Sequence, residues 1–321
     1  MKLIESKAEY IPQEEGLEGI YKQIELAGRT AYHSQDKITP DSAKDFVDRM
    51  IKSKHGAALE AGTVYLIGRF SSKKELFENE WAFKYIENPY TKTIRIPLDE
   101  NNRYNGPQLL YVTTNYRVLV ENGWLDDLKE PEDTDTVISY NPSEFHEKRY
   151  TMRFTCSRAI AQELTRHRTF SFLMESQRYI NYSKERHGGE VTFINPSWLE
   201  ESEEEANSFL GLVMAGAELN EHGKKVYPFF ESLVVAEKNY FVLLNKGFTP
   251  QQARDVLPNA TKTELIMTGF SSDWRHVLDL RLFEKTGAVH PDMLYLMLKA
   301  QEAMIEAGIW EDIMSKPSKF E

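Results

Sequence analysis

The sequence predicts a mixed α/β (α+β) fold in one large domain spanning residues 1–321. Three observations carry that expectation. Runs of strand length, rich in β-branched and aromatic residues, recur at 63–70, 150–156 and 263–270. Longer helical stretches lie between and after them, the longest over 203–246. No internal repeat, low-complexity tract or clear linker interrupts the chain, although its length alone allows one large domain or two smaller ones.

The first 60 residues read as helical. An apolar stripe over 20–27 marks one helix, with Gly28 as its end. Thr39-Pro40-Asp41 has the form of a cap with proline in the first turn, opening a second helix toward Lys54. The strand at 63–70 follows. Short strands are expected at 92–96 and 108–114, then a helix over 115–122 closed by Gly123. Residues 129–137 form an acidic loop. After the strand at 150–156, Ser157 can cap a helix on which Arg158, Gln162 and Arg166 share a face, with Glu163 beside it. Two helices fill 203–246. Thr249-Pro250-Gln251-Gln252 combines a capping threonine, proline at the first position and glutamine at the third, opening a helix that carries Arg254 and stops before Pro258. Ser271-Ser272-Asp273 opens a helix carrying His276 and Arg281. His290-Pro291-Asp292 opens the last helix, ending near Gly308.

Composition narrows the function classes. A net charge of −11 disfavours nucleic-acid polymers as partners, because a phosphate backbone would be repelled. No apolar run approaches the length of a membrane span, and the first residues lack the apolar core of a signal peptide, so a cytoplasmic address is expected. The single cysteine, Cys156, excludes an internal disulfide and any multi-cysteine zinc site. Cys156 as a nucleophile is the weaker reading, since lone cysteines within strands are ordinarily small buried hydrophobes. No His-Glu-x-x-His pattern or metal triad occurs, so no metal is expected, and no glycine-rich nucleotide loop of the Rossmann or Walker type is present.

One segment reverses the sign of the chain. Residues 148–186 hold nine Lys/Arg and three acids, a local balance of +6. A lone arginine is ordinarily a surface charge. Arg166, Arg168 and Arg178 in one stretch, with Ser176 and Tyr179, suit a compact anion such as a phosphate, because guanidinium forks and a hydroxyl offer several donors at once. His167 between two arginines has its charged form disfavoured, so a neutral imidazole is expected; standing alone it would read as an ordinary packed histidine. Phe170, Phe172 and Tyr179 read as core or cofactor wall.

Arg166-His167-Arg168, seven residues and then Ser176 resembles the signature of the flavin-dependent thymidylate synthases. Arg178-Tyr179 continues it. Residues 54–66, 253–258 and 279–284 resemble three further segments of that family, in the same order, and the likeness covers about 29–70 and 150–310. The resemblance implies an enzyme that makes thymidylate by reductive methylation of deoxyuridine monophosphate (dUMP). It implies FAD as cofactor, with 5,10-methylenetetrahydrofolate and NADPH as co-substrates. It also implies a central, mostly antiparallel sheet with long helices, and a homotetramer with sites at subunit junctions. By the same resemblance Arg166, His167 and Arg168 contact the flavin, with Glu60, Phe270 and His276 at further cofactor positions. Glu163, Arg166, Met174, Glu175, Ser176, Gln177, Arg178 and Arg254 bind the nucleotide. Arg281 binds it too and polarises the pyrimidine, favouring loss of its N3 proton, which makes it the catalytic residue.

The sequence also departs from the family pattern. Glu163 stands where many members have glutamine, Glu175 is displaced by one position, and Ala61 follows Glu60 where histidine would be usual. Phe270 and His276 stand where many relatives have asparagine. Residues 72–147 are longer than in compact members and read as an extended insertion. Three rivals remain. A cysteine-dependent thymidylate synthase would need Pro-Cys-His where this chain has Thr155-Cys156-Ser157. A catalytically inactive flavin- or nucleotide-binding homologue would keep the scaffold without turnover. An RNA-binding module would use the basic-aromatic segment against an unfavourable net charge.

Overall fold

A computed structural model describes residues 1–320 except 104, 130–136, 140–141, 179 and 185–187. Ten strands are seen among the described residues: β1 (Lys2–Ile4), β2 (Lys7–Ile11), β3 (Thr63–Phe70), β4 (Lys92–Pro97), β5 (Gln108–Asn115), β6 (Val137–Ser139), β7 (Arg149–Ser157), β8 (Ser171–Met174), β9 (Thr192–Ile194) and β10 (Lys262–Phe270). They form a sheet of order β2-β7-β10-β8 and another of order β4-β5-β3-β6, each antiparallel throughout, and a parallel pair β1-β9. The mixed class and the antiparallel character hold, but there are two four-stranded sheets where one central sheet was expected. The segment 72–147 explains the second. It supplies β4, β5 and β6, which pair on or next to β3, so it completes a sheet with its own apolar face to bury.

The three long strands read from sequence form as expected, each extended by a residue or two at most. The apolar residues of β7 and β10 face a core that contains Met152, Phe154, Cys156, Leu265 and Met267 with Trp274 and Phe170, while Val64, Leu66 and Phe70 of β3 pack in a second core with the other sheet. β1, β2, β8 and β9 escaped the sequence reading because they are short and partly polar. β2 (KAEYI) earns its strand state from the partner β7, five residues in register, rather than from its own composition.

Several boundaries differ. The first helix runs Gly16–Ala31 through Gly28. That glycine is there for space, since a Cβ on it would stand 2.5 Å from the Phe46 ring. The second helix begins at Ser42, after the Thr39-Pro40-Asp41 turn, because Ser42 Oγ bonds Glu25 and the Thr39 backbone instead of leaving Thr39 to cap. The Thr249/Gln252 capping box forms, but its helix is only Pro250–Ala253, and Arg254 lies in the 3-10 turn Arg254–Val256 that follows. The helix Pro291–Glu306 is not the last, because Trp310–Met314 follows it. Most of the expected acidic loop at 129–137, and Tyr179, lie outside the described residues. No helix among the described residues is long and apolar enough to cross a membrane.

Candidate active site

Two neighbouring strands of the first sheet deliver the functional side chains. β7 ends at Ser157, whose Oγ accepts the Ile160 backbone N–H at 3.3 Å and starts the helix Arg158–Leu164. That helix stops at Thr165, so Arg166 leaves the face shared by Arg158 and Gln162 and enters the turn 166–168, contrary to the i, i+4, i+8 expectation. The Phe170 backbone N–H closes the turn on the His167 carbonyl at 3.2 Å, and its buried ring packs edge-on to Trp274 at 4.8 Å. Gly269 on β10 makes room for that ring, since a Cβ there would stand 2.3 Å from it. β10 leads straight into the helix Ser271–Arg281, with Phe270 at its N-cap and Arg281 as its last residue.

The turn and the helix end meet through side chains. Arg281 Nε donates to His167 Nε2 at 3.3 Å, and Arg281 Nη1 lies 3.6 Å from the Glu163 carboxylate. An imidazole nitrogen that accepts must be unprotonated, so the His167 proton sits on Nδ1. Burial, then the charges of Arg281, His276 and Arg166, push the His167 pKa down to about 4. The neutral imidazole expected from sequence is therefore present, with burial as the main cause.

Around this contact lies a cavity of about 530 Å³. Arg166, His167, Arg168, His276, Arg281 and Lys319 line it, and no lining residue is acidic. Four permanent or near-permanent cations line it, and although Glu163 stands beside Arg281, the excess of positive charge suits an anion. His276 adds a buried Nδ1 with no hydrogen-bond partner among the described residues.

A second group is separate. Ser176 follows β8, its backbone N–H fixed by the Ala31 carbonyl at 2.9 Å. Gln177 is buried and accepts from Arg158 Nη1 at 2.7 Å. Arg178 is exposed and donates to Gln251 Oε1 at 3.0 Å, which ties the 176–178 stretch to the short helix leading into Arg254. Met174 lies on β8 opposite Leu265 and packs on the core. Glu175 turns inward: its buried carboxylate accepts from Lys262 Nζ at 3.0 Å and the Glu264 backbone N–H at 3.1 Å. That engagement ties the carboxylate to the sheet.

Two expected cofactor residues stand elsewhere in the chain. Glu60 binds Arg117 at 2.6 Å and lines a different cavity with it. Phe270 is buried, with Lys92 Nζ 4.3 Å from its ring centroid. Neither lines the cavity at Arg281 within this chain. Cys156 is fully buried on β7, and burial raises its thiol pKa to about 12, so it is neither accessible nor ionised. Among the described residues, no three His, Cys, Asp or Glu side chains are grouped to hold a metal ion. Sequence reading missed Lys319, which sits far along the chain in no motif, and Arg158 as a partner of Gln177, which the stripe with Gln162 had marked only as a helix face.

Residues 128–304, more than half of the chain, match the family model described as thymidylate synthase complementing protein. The chain belongs to this family. The likeness read from the sequence to flavin-dependent thymidylate synthases is thereby borne out. The matched span includes the 166–168 turn, Arg254 and Arg281 and ends before Lys319. A flavin-dependent thymidylate synthase of Corynebacterium efficiens is 35% identical over 132 residues, which are 40% of this chain and 47% of that protein. The one from Pyrococcus furiosus is 33% identical over 130 residues, 40% of this chain and 44% of that protein. The chain thus spans about half the length of the curated relatives it matches. Among solved structures, a UMP/dUMP methylase from Streptomyces cacaoi bound with 5-Br dUMP aligns over 98% of this chain and 97% of its own, at 15% identity and a TM-score of 0.37. So loose a superposition carries no weight.

Proposed function

We propose that this chain is a flavin-dependent thymidylate synthase. It methylates dUMP to dTMP with 5,10-methylenetetrahydrofolate as carbon donor, and NADPH reduces its FAD. The observation that carries this reading is the contact between Arg281 and neutral His167 inside a cationic cavity with no acidic lining residue. The family match supports it.

The donor set fits FAD. Arg166 and Arg168 offer planar forks to a diphosphate, while neutral His167 offers a polar atom to a ring edge. FAD, when bound, supplies the two-electron reducing chemistry that no side chain here can. The chain supplies position and charge. Arg281 sets a guanidinium beside the pyrimidine, where it stabilises negative charge on the ring, and Glu163 and His167 hold that guanidinium in place. Ser176, Arg178 and Arg254 take the nucleotide phosphate, and Gln177 stiffens their loop through Arg158. Met174 and Glu175 serve the same loop by anchoring it to β10, so Glu175 acts through its buried pair and not by touching ligand.

Glu60 and Phe270 act at the cofactor across a subunit junction, which is how residues distant within one chain join a single site; this reading requires a homo-oligomer, and the family resemblance makes it a homotetramer. The partners are small molecules, with no nucleic-acid polymer or membrane involved, and the enzyme works in the cytoplasm. Purification tests all of this at its root. The expected protein is yellow with non-covalently bound FAD and forms dTMP when all substrates are supplied. A yellow protein without turnover would identify an inactive flavin-binding homologue. A colourless protein that neither takes up FAD nor makes dTMP would sink the reading.

A further inference from the structure

Beyond the matched family span, the chain folds back onto the cavity. After the helix Trp310–Met314, residues 315–320 lie along the helix Ser271–Arg281. The first fastening is early: Arg275 Nη1 donates to the Met314 carbonyl at 3.2 Å. Two more flank residue 319. Ser318, buried, donates its Oγ to Asp279 Oδ2 at 2.7 Å, and Asp279 is fully buried. The Phe320 ring stacks on His276, centroids 5.8 Å apart and planes 17° from parallel. Lys319 between them lines the same cavity as Arg166, Arg168 and Arg281.

An ammonium on a loose tail stays in water and loses entropy whenever it is captured. Here the backbone on both sides is already held, so much of that cost is met before any ligand arrives. The cavity already offers three guanidinium groups, and its lining has no carboxylate to neutralise a fourth cation. A ligand with several adjacent anionic oxygens satisfies all of them.

We propose that Lys319 is a ligand-binding residue of this cavity, held there by the Ser318–Asp279 hydrogen bond so that its ammonium engages the diphosphate of a bound dinucleotide. This rests on reading the cavity as the FAD site. Lys319 is exposed, so replacing it leaves folding intact.

The test measures FAD and riboflavin affinity for the full chain and for Lys319→Ala, Lys319→Arg and Arg168→Ala. Lys319→Ala should weaken FAD about tenfold, the loss of one charge-assisted hydrogen bond. Riboflavin, which has no phosphate, should be unaffected, and Lys319→Arg should keep FAD affinity within about threefold. If Lys319→Ala binds FAD like the parent while Arg168→Ala does not, the tail plays no part although the cavity reading stands. Equal losses for FAD and riboflavin would also overturn the proposal, since the lysine would not be reading phosphate. If the parent binds no FAD, or Arg168→Ala binds it undiminished, the cavity reading fails and the proposal falls with it.

Discussion

Arg281 Nε donates to His167 Nε2 over 3.3 Å, joining the last residue of one helix to the turn that follows another. The bond is made 114 residues apart in sequence and depends on an uncharged imidazole. It sets the direction of the guanidinium, and the Glu163 carboxylate at 3.6 Å adds a charge contact. Arg281→Lys keeps the charge and loses the fork that both partners hold. Turnover to dTMP should fall about ten- to a hundredfold, with a smaller change in dUMP affinity, because a cation by the ring helps most when the ring carries negative charge. FAD reduction by NADPH should stay near the parent rate. Loss of flavin reduction with methylation intact would show that the role is wrongly assigned.

The pH dependence of stability follows from the same imidazole. The folded His167 pKa is depressed to about 4, against about 6.5 in the unfolded chain. Between these values the unfolded state binds the proton and the folded state does not, so falling pH favours unfolding. The contribution of His167 is complete above about pH 6.5 and is lost progressively toward pH 4. His167→Gln cannot titrate. Its thermal midpoint should fall less than the parent's between pH 7 and pH 4.5, and parallel curves for the two proteins would refute the assignment.

Cys156 is expected to matter for packing alone. Cys156→Ala should cost about 1 kcal/mol of stability through a small cavity, while dTMP formation stays within a few-fold. Cys156→Ser should cost more than Cys156→Ala, roughly 1–3 kcal/mol, because a hydroxyl is buried in a mainly apolar cluster. A well-folded Cys156→Ala protein that binds its ligands and makes no product would restore the cysteine-dependent mechanism.

The 166–168 turn is placed by a fit between Gly269 and Phe170, whose ring also lines the cavity. Gly269→Ala would drive a methyl into the Phe170 ring, which lies 2.3 Å from the Cβ position. The ring has little room to move, because Trp274 packs edge-on to it at 4.8 Å. The variant should lose about 1–3 kcal/mol and much of its flavin. Adding Phe170→Leu should recover part of both losses, measured by chemical denaturation and flavin absorbance. A double variant no better than Gly269→Ala alone would show that the contact is not the cause.

These dependencies mark the limit of what the sequence could show. The arginine-histidine turn, the 174–178 loop and Arg281 were legible through their resemblance to segments of a known family, and the structure brings Arg281 against the turn across 114 residues of sequence. The strands β3, β7 and β10 were legible because each is long and dominated by β-branched and aromatic side chains. β8 was hidden inside the signature itself, since Ser171–Met174 becomes a strand only by pairing with β10. Gly28 looked like a helix end because a glycine chosen for close packing is the same letter as one chosen for its backbone freedom. Lys319 carries no local signal at all. Its place depends on Ser318 reaching Asp279, a contact 39 residues distant.

Glu175 and Ser176 are adjacent in the same loop, yet their variants should fail in opposite ways. Glu175 is buried and bonded to Lys262 and to the Glu264 backbone. Glu175→Gln leaves a largely buried ammonium short of a counter-charge, and breaking such a pair from one side costs about 3–5 kcal/mol; Glu264, at 2.8 Å from the same lysine, should hold the loss toward the lower end. dUMP affinity of the folded fraction should stay within about threefold. Ser176 is half-buried, and its backbone alone is fixed by Ala31. Ser176→Ala removes one hydroxyl from the proposed phosphate site. A hydrogen bond to a charged group is worth roughly 1.5–3 kcal/mol, so dUMP should bind about ten- to a hundredfold more weakly. The thermal midpoint should not move. Denaturation and dUMP titration of both variants decide the matter. If Glu175→Gln instead lost dUMP at unchanged stability, the carboxylate would face the nucleotide and its pairing with Lys262 would not be the state that binds.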